Sequence, residues 1–470
     1  MPLSFRTPVV VAALAVVVTA AAFVHTEALS PEQALARDIL EELIEIDTSD
    51  SVGDNTKAAE AMARRLRDAG FPEEDVKVLV PHERKGNLVA RYRGSGGGGG
   101  AEPVLLLAHL DVVEARPEDW SFDPFTFLEQ GGFYFGRGTT DDKAMAAIWI
   151  TNFILMKQEG FVPNRDLIVA LTADEEGGAH NGVQWLLANH RELVDAAFCL
   201  NEGGGGQMKD GKRVSNTVQL SEKMYQSFHL EALNAGGHSS RPRADNAIYE
   251  LSRALGRISE YAFPLQLDEI TSTYFERMAR LETGQRAQDM LAVAQRADPD
   301  AAARLSVSPY LNAVLRTTCV ATELSGGHAE NALPQTARAT VNCRIFPGSD
   351  ASEILATLIE VVDDEGITIE PVQQVTPSPP SPLAPEVMDA IETVTEQMWP
   401  GVPVIPTMST GATDGLYFRN AGIPTYGVSG IFGDVDDVRA HGRDERIAIE
   451  SFFQGREFLD ALTRKLAGAQ

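Results

Sequence analysis

The sequence contains only three cysteines in 470 residues, at positions 199, 319 and 343, and no CxxC pair. This scattered, odd-numbered set excludes a disulfide scaffold and a cysteine-based zinc site, and it allows one disulfide at most. Basic residues are also scarce, because 40 lysines and arginines stand against 67 aspartates and glutamates, for a formal net charge of −27. Nucleic acid requires a basic surface, so it is not an expected partner. The simplest interpretation of the charge is a solvated acidic surface.

Two nucleotide-binding signatures are missing as well. No GxGxxG links an early strand to a helix, which argues against an α/β dinucleotide-binding enzyme. The glycine-rich tract GSGGGGG at 94–100 is not followed by GK[ST], so it does not form a phosphate cradle of the P-loop type. We interpret this tract as a flexible hairpin loop between two strands.

One long apolar run without charge lies at the amino terminus, from Pro8 to Val24, shortly after Arg6. Its length of about 17 residues is long for the core of a signal peptide and short for a membrane span. Small residues follow it, and TEA at 26–28 suits a cleavage site. We expect residues 1–28 to be a signal peptide or a membrane anchor, with the folded part exported to the periplasm, secreted, or held outside the cytoplasm.

Strand and helix patterns alternate over much of the remaining chain. Ser30, Pro31 and Gln33 form a capping signature for a first helix. Runs such as LIVALT at 167–172 are apolar enough for strands that are buried on both faces. Their alternation with helical segments predicts an α/β fold, with a sheet flanked by helices. In such sheets ligands bind beyond the carboxyl ends of the strands.

The chain is too long for a single compact core, so two domains are expected. Around residue 216 the pattern changes to alternating strands, a long helical region and more strands, which is typical of a separate α+β unit. A Pro/Ser-rich joint then leads back to helix and apolar strand. We predict a catalytic domain formed by 29–215 and 373–470, interrupted by an inserted domain at 216–372.

Acids and histidines follow several of the predicted strands. His109 and Asp111 stand two residues apart, so they share one face of a strand, and Asp111 is placed to orient the His109 ring. Taken singly, such pairs have ordinary explanations, such as a surface pair or a helix N-cap. The other sets are Asp141 with Asp142, the three acids Asp174, Glu175 and Glu176, then Glu202, and His441.

Together these residues indicate a metal centre. Two histidines and three or four carboxylates at strand ends suit a pair of divalent ions, and zinc is favoured by nitrogen and oxygen ligands. A carboxylate that bridges two metals, each completed by one histidine and one acid, is an arrangement of hydrolytic enzymes. Adjacent acids at a strand end are then tolerable, because a cation neutralises one while the other moves protons.

The motifs HLDVV, GRGTTDDK, ADEEGG, NEGG, GGHSSRP and HGRDE, in this order, resemble the M20 family of metallopeptidases. That family includes aminoacylases, carnosinase-like dipeptidases, succinyl-diaminopimelate desuccinylase and carboxypeptidase S. The resemblance spans about residues 35–465. NEGGG, GGHAENALPQTA and the N-terminal apolar segment are most similar to the carboxypeptidase S-like branch.

The resemblance implies a role for each motif residue. His109 and Glu176 would bind one ion, Asp141 would bridge, and Glu202 with His441 would bind the other. Some relatives use an Asp at the position of Asn201 as the ligand and others the following Glu. Asparagine is a weak neutral ligand, so Glu202 is assigned here. Glu175 would be the general base, and Asp111 would support His109.

The inserted domain resembles the lid or dimerisation domain of the family. His238 would polarise the scissile carbonyl, and in relatives it often reaches the site of a second subunit, which implies a homodimer. Asn331 and Arg344 resemble residues that bind the free carboxylate of the substrate, and Arg suits a bidentate contact. Without the family, His238 would be interpreted as a turn residue and Arg344 as a solvated strand residue.

These observations predict a di-zinc hydrolase that cleaves the amide bond of dipeptides or small peptides with a free C-terminal carboxylate. The alternative within the class is an N-acyl amino acid deacylase. The alternative outside it is a catalytically silent protein that binds metal without turnover. Loss of Glu175 or of a ligand would have favoured the silent protein, but these positions are filled.

Overall fold

The computed structural model describes residues 28–96 and 101–468. The predicted export segment therefore lies outside the described residues apart from Ala28, as do the last four glycines of the 94–100 tract. Within the described ranges, no helix has both the length and the apolar character that a membrane crossing needs.

The first part of the chain begins with the predicted capped helix. Ser30 accepts a hydrogen bond from the backbone N–H of Gln33, whose side chain accepts one from the N–H of Ser30. The elements of this part are α1 (Pro31–Glu45), α2 (Asn55–Asp68), β1 (Val76–Leu79), β2 (Asn87–Tyr92), β3 (Val104–His109), β4 (Leu128–Gln130), β5 (Phe133–Phe135), α3 (Lys143–Glu159), β6 (Leu167–Thr172), α4 (Gly182–Asn189), α5 (Arg191–Val194), β7 (Phe198–Asn201), β8 (Gly206–Lys209) and β9 (Lys212–Glu222).

The middle part forms a sheet and six helices. Its elements are β10 (Met224–Leu233), β11 (Gly237–His238), α6 (Ala247–Glu260), α7 (Glu269–Met278), α8 (Gly284–Arg296), α9 (Pro299–Leu305), α10 (Pro309–Leu315), β12 (Thr318–Gly326), β13 (Ala332–Leu333), β14 (Thr336–Ile345), α11 (Ala351–Val362) and β15 (Ile367–Pro371). The last part returns to the first and contains α12 (Pro385–Met398), β16 (Val404–Ser409), α13 (Gly415–Asn420), β17 (Thr425–Gly427), β18 (Phe432–Asp434), β19 (Arg446–Ala448) and α14 (Ile449–Leu466).

The first and last parts share one mixed sheet of ten strands. Its order is β1-β2-β6-β3-β7-β17-β9-β8-β18, with β16 alongside β9. The strands β6, β3, β7 and β17 are parallel, so their carboxyl ends meet at one edge. Strands β3 and β6 are buried along their whole length because helices cover both faces of the sheet. The predicted fold class, a mixed sheet flanked by helices, is confirmed.

The inserted domain begins later than predicted. Strand β9 pairs with β8, β16 and β17, so the chain leaves the large sheet after Glu222 rather than at residue 216. From Met224 the chain belongs to a second sheet, of order β12-β14-β10-β15, which packs on α6 and α11. The alternating pattern of 216–222 misled the prediction because the strand continues almost without interruption from one sheet into the next.

The helical region α7 to α10 has a core of its own. Its apolar side chains pack with Ile405 and Met408 of β16, which belongs to the large sheet. The middle part of the chain therefore contacts the large sheet through these helices, in addition to its two connections to the catalytic domain.

The glycine-rich tract is not a hairpin loop. It connects β2 to β3, as predicted, but β6 lies between these two strands in the sheet. The hairpin interpretation was wrong because it took neighbours in sequence as neighbours in the sheet.

One disulfide joins the second sheet. Cys319 of β12 and Cys343 of β14 stand directly opposite each other and are bonded, while Cys199 is free and buried. This agrees with the limit of one disulfide set by the cysteine count. Structural disulfides of this kind are typical of oxidising compartments.

Candidate active site

The predicted site residues of the catalytic domain converge at the carboxyl edge of the large sheet. His109 ends β3, Glu175 and Glu176 follow β6, and Glu202 follows β7. Because these three strands are parallel neighbours, their last side chains lie close together. Asp141 and His441 are brought to the same edge by two loops.

Asp141 lies between the two histidines. One carboxylate oxygen is 3.0 Å from His109 Nε2, and the other is 3.0 Å from His441 Nε2. A carboxylate with one oxygen directed to each of two histidines is placed to bridge two cations. This position suits the bridging role that was predicted for Asp141.

The distances pair the remaining ligands differently from the expectation. His441 Nε2 is 2.9 Å from Glu176 Oε1, whereas His109 Nε2 is 3.9 Å from Glu202 Oε1. Glu176 thus lies beside His441, and Glu202 lies beside His109. Order along the chain could not reveal this pairing, because the loop that carries His441 crosses over the edge from the far end of the sequence.

Asp111 contacts His109 through its main-chain oxygen and the Glu175–Glu176 loop through its carboxylate. Its main-chain oxygen is 2.9 Å from His109 Nδ1, while its nearest carboxylate oxygen is 3.7 Å away. The carboxylate instead accepts hydrogen bonds from the backbone N–H groups of Glu175 and Glu176. Asp111 therefore orients the His109 ring mainly through its backbone, and its side chain fixes the loop that carries two acids.

Asp174, the first acid of the 174–176 run, forms an ion pair and does not enter the site. Asp174 contacts Lys85 Nζ at 2.5 Å, and the same lysine contacts Asp50 at 2.6 Å. Asp174 has a left-handed backbone conformation, with φ of 60°. Its ion pair with a buried lysine anchors the strand end while Glu175 and Glu176 project into the site.

The ordinary explanation of an aspartate before a helix, an N-cap, does not hold for Asp142. Asp142 occupies the N-cap position of α3, but its side chain accepts no hydrogen bond from the helix. It is buried, and its Oδ2 has no hydrogen-bond partner among the described residues. Burial raises the pKa of Asp142 well above its usual range.

The carboxylates at this edge lack basic partners. Among the described residues, no lysine or arginine nitrogen lies within 4.0 Å of the carboxylates of Asp141, Glu175, Glu176 or Glu202. Burial and the neighbouring Asp141 charge raise the pKa of Glu176 to about 7, and burial with the Glu175 charge raises that of Glu202 well above normal. Partly buried acids this close together favour the binding of cations.

The neighbouring acids raise the pKa values of the two histidines, which favours their charged form. The contact with Asp141 raises the pKa of His441 to about 9, against the lowering effect of burial. Burial also lowers that of His109, but contact with Asp141 and the charges of Glu175 and Glu202 raise it well above normal overall. Both shifts favour the protonated form of the histidines while no cation is bound.

The donor set fits divalent metal ions. Ligand atoms of His109, Asp141 and Glu176 lie within 4.8 Å of one another, and so do those of His109, Glu175 and Glu202. Imidazole nitrogens and carboxylate oxygens suit zinc and related ions. The edge of the sheet is therefore a candidate metal centre.

Glu445 is a residue of the site that sequence reasoning missed. One carboxylate oxygen is 2.6 Å from Arg137, and the other accepts hydrogen bonds from the backbone N–H and hydroxyl of Thr140 and from the N–H of Asp141. Glu445 is fully buried and follows His441 by four residues. It joins the two loops that deliver Asp141 and His441. Its place in the HGRDE motif was the available signal, but the partner loop lies about 300 residues away.

The residues predicted in the inserted domain fall at two distant places. His238 pairs with Ala332, so Asn331 lies beside it at one end of the domain. Arg344 stands opposite Tyr225 and Thr318, at the other end of β14 where the chain crosses from the large sheet. Eight residues of extended strand separate Thr336 from Arg344, about 26 Å. Asn331 and Arg344 of one chain therefore lie too far apart to contact one carboxylate, so the role predicted for both requires two chains.

The fold and the site together define a metal-dependent hydrolase: an α/β sheet delivers two histidines, and several acids without lysine or arginine partners, to the carboxyl ends of its parallel strands. The chain matches the sequence model of peptidase family M20/M25/M40 over residues 105–465. The chain belongs to this family, as the motifs predicted.

Two relatives illustrate the range of the family. The N-fatty-acyl-amino acid synthase/hydrolase PM20D1 of Xenopus tropicalis is 30% identical over 397 residues, which cover 81% of this chain and 76% of that protein. Carboxypeptidase S of Saccharomyces cerevisiae is 25% identical over 427 residues, which cover 80% of this chain and 74% of that protein.

Solved structures share the fold. The M20 family metallo-carboxypeptidase Sso-CP2 from Sulfolobus solfataricus has a TM-score of 0.68 at 16% identity, covering 93% of this chain and 100% of that chain. Human carnosine dipeptidase 1 has a TM-score of 0.64 at 15% identity, covering 93% of this chain and 97% of that chain.

Replacing Glu445 with alanine is expected to lower metal occupancy and stability together. The change leaves Arg137 buried without its partner, which typically costs about 3–5 kcal/mol, and it releases the Asp141 loop. Metal content by elemental analysis and the free energy of unfolding by denaturant titration measure both effects. Asp444→Ala is the control, because the carboxylate of this neighbouring residue accepts hydrogen bonds from Ser121 and not from the Asp141 loop. Equal metal content in the Glu445→Ala variant and the wild type would contradict the role of Glu445.

Metal binding is expected to release protons at pH 7. The pKa of His441 is raised to about 9 and that of Glu176 to about 7, so the metal-free site holds protons that the metal must displace. Metal affinity should accordingly rise as pH increases from about 6 to 9. Calorimetric titration with Zn²⁺ in buffers of different ionisation enthalpy counts the protons. A binding enthalpy independent of the buffer would show that none is released.

Proposed function

We propose that the chain is a di-zinc hydrolase that cleaves the amide bond between an acyl group and an amino acid with a free carboxylate. The observation that carries this proposal is the placement of Asp141 between His109 and His441, with further acids on either side. We assign His441, Glu176 and Asp141 to one ion, and His109, Glu202 and Asp141 to the other, according to the shortest distances. When bound, the ions would act as Lewis acids on the substrate carbonyl.

Glu175 is the proposed general base. Its backbone is fixed by Asp111, and its carboxylate accepts no hydrogen bond from the described residues. Burial raises the pKa of Glu175 well above its usual range against the lowering effect of the His109 charge, and the charges of Asp414 and Asp111 add to the rise. A base of raised pKa takes a proton from the attacking water and returns it to the leaving nitrogen.

His238 is the proposed donor to the carbonyl oxygen. Its Nδ1 accepts a hydrogen bond from the backbone N–H of Ser240, so in the neutral ring Nε2 carries the proton and is free to donate. His238 and Asn331 lie at the end of the inserted domain opposite to Arg344. A site that uses both His238 and Arg344 therefore takes them from two subunits, which supports the proposed homodimer.

N-acyl amino acids are the favoured substrates over dipeptides. Two adjoining cavities of about 430 and 520 Å³ extend from Glu202 between the loops 203–207 and 429–440. They share apolar walls at Ile431, Val438 and Ile447, and the second continues past Phe133 and Met208. An apolar cavity next to a metal ligand suits an acyl chain. The similarity to a protein named N-fatty-acyl-amino acid synthase/hydrolase favours the same choice.

Export from the cytoplasm is part of the proposal. The apolar segment 8–24 supports it from the sequence, and the bond between Cys319 and Cys343 supports it from the structure, because such bonds persist in oxidising compartments. The proposal leaves the choice between a cleaved signal peptide and a retained anchor to analysis of the mature N-terminus.

A substrate panel tests the proposed function. The zinc-loaded protein should hydrolyse N-acyl amino acids, with kcat/KM rising with acyl length, and should act less well on dipeptides and on C-terminal amides. Exhaustive chelation should abolish the reaction, and Zn²⁺ should restore it. Full hydrolysis by protein shown to be metal-free by elemental analysis would contradict the metal mechanism. A preference for dipeptides would contradict the assignment of the cavity.

Glu175→Gln and Glu176→Gln should fail in different ways. The first variant should keep both metals and lose about 10²–10⁴-fold in kcat, because it removes a proton carrier. The second should lose metal, because Glu176 and Asp141 both contact His441 and are assigned with it to one ion. Metal content and kcat are measured on the same preparations. If the two variants behaved alike in both respects, the division of roles would be wrong.

His238→Ala should keep both metals and lose about 10²–10³-fold in kcat, since one donor to the developing oxyanion is removed. Mixing this variant with Glu175→Ala tests the source of the histidine. If His238 acts across a dimer, hybrid dimers contain one intact site and regain part of the activity. Unmixed variants incubated under the same conditions are the control. No recovery in demonstrated hybrid dimers would place His238 in the site of its own chain.

A further inference from the structure

Lys223 is a deeply buried cation without a carboxylate partner. It is the single residue between β9 of the large sheet and β10 of the inserted sheet, and its exposure is 1%. Its Nζ donates to the hydroxyl of Thr318 at 3.2 Å, and no carboxylate oxygen of the described residues lies within 4.0 Å. Lysine is rarely buried unless it is paired.

Two other deeply buried cations have carboxylate partners, whereas Lys143, which is fully buried, donates to the main-chain oxygen of Ile46 instead. Lys85 contacts Asp174 and Asp50, and Arg419 contacts Glu222 at 2.8 Å. Glu222 precedes Lys223 directly, yet its carboxylate is directed to Arg419 and Thr413. What distinguishes Lys223 from Lys143 is a second cation close to it, Arg344.

A second cation lies on the same face of the inserted sheet. Arg344 of β14 stands opposite both Tyr225 and Thr318, and its guanidinium lies 4.8 Å from the centre of the Tyr225 ring. Lys223 and Tyr225 are two residues apart along the chain, and Lys223 contacts Thr318. Among the described residues, Arg344 also has no carboxylate within 4.0 Å. Two half-buried or buried cations thus share one hydroxyl-lined position.

Their proximity has an electrostatic cost. Burial, with the positive charge of Arg344, lowers the pKa of Lys223 to about 7. Burial likewise lowers the pKa of Arg344. An anion bound between them would compensate both charges and keep Lys223 protonated.

This position is connected to the metal centre by a short series of contacts. The backbone N–H of Lys223 donates to Ser409, and Glu222 accepts a hydrogen bond from Thr413 at 2.9 Å. Thr413 in turn lies 3.5 Å from the amide of Asn201, the residue before the ligand Glu202. The two cations therefore lie on the side of the inserted domain that adjoins the catalytic edge.

We propose that Lys223 and Arg344 together bind the free carboxylate of the substrate, and that Lys223 is a substrate-binding residue in its own right. The proposal rests on the proposed function, because the anion is the carboxylate of the amino acid released by hydrolysis. Arg344 offers two parallel N–H donors to a carboxylate, and Lys223 adds a point charge from the hinge side. The pair selects substrates that end in a free acid over those that end in an amide.

The test compares Lys223→Met, Lys223→Arg and a control, Arg338→Met. Arg338 lies on the same strand and face as Arg344 but is exposed and paired with Glu231. KM and kcat are measured for N-acetyl-leucine and for N-acetyl-leucine amide. Lys223→Met should raise KM for the acid about 10- to 100-fold, the usual cost of a hydrogen bond to a charged group, and should leave that for the amide unchanged. Lys223→Arg should retain most of the affinity, and Arg338→Met should match the wild type.

Two further measurements keep the outcome decisive. Thermal unfolding of Lys223→Met should equal or exceed that of the wild type, because an unpaired buried charge is removed. A lower melting temperature with equal KM changes for acid and amide would mark Lys223 as structural and overturn the proposal. Calorimetric binding of N-acetyl-leucine to zinc-loaded Glu175→Gln protein measures the carboxylate site without turnover. If this binding depends on Lys223 but the wild-type protein hydrolyses no substrate, the proposed function is rejected and the carboxylate site is retained. If Lys223→Met leaves the binding unchanged, the carboxylate site is rejected.

Discussion

The repulsion among partly buried carboxylates at the carboxyl edge of the large sheet is the constraint on which the rest of the site depends. Asp141, Glu175, Glu176 and Glu202 meet in a place where the described residues supply two histidines and no lysine or arginine contact. Such a cluster opposes folding unless protons or cations occupy it. The same interaction that disfavours the empty edge therefore favours divalent ions there, and folding and metal binding become linked.

A set of contacts around the edge holds this cluster in place. Asp174 is tied to Lys85, the carboxylate of Asp111 holds the backbone of Glu175 and Glu176, and Glu445 joins the loops of Asp141 and His441. Each of these acids lies within four residues of a candidate metal ligand in sequence but is satisfied by a positive charge or by backbone N–H groups. The run of three acids at 174–176 thus combines one anchor with two side chains that enter the site.

Much of this arrangement was predictable because it depends on local patterns. Apolar runs fixed β3 and β6 as buried strands, and a parallel sheet necessarily brings the residues after such strands to one edge. Contacts between distant parts of the chain were not predictable in this way. The pairing of His441 with Glu176, the bond from Glu445 to the Asp141 loop and the order β2-β6-β3 all join segments whose proximity no local pattern encodes. The boundary at Glu222 was missed for the related reason that one extended segment serves two sheets.

Because a single residue links the two sheets, a small rotation there moves the far end of the inserted domain over a larger distance. Lys223 is the only residue between β9 and β10, so its backbone, together with the return connection and the packing of α7 to α10 on β16, limits the angle between the sheets. Strand β10 has ten residues, which is about 33 Å of extended chain, and His238 lies beyond its far end. A rotation of roughly 10° at the link would displace that end by about 6 Å over the same length. A small angular change beside Lys223 would therefore move His238 by more than the length of a hydrogen bond.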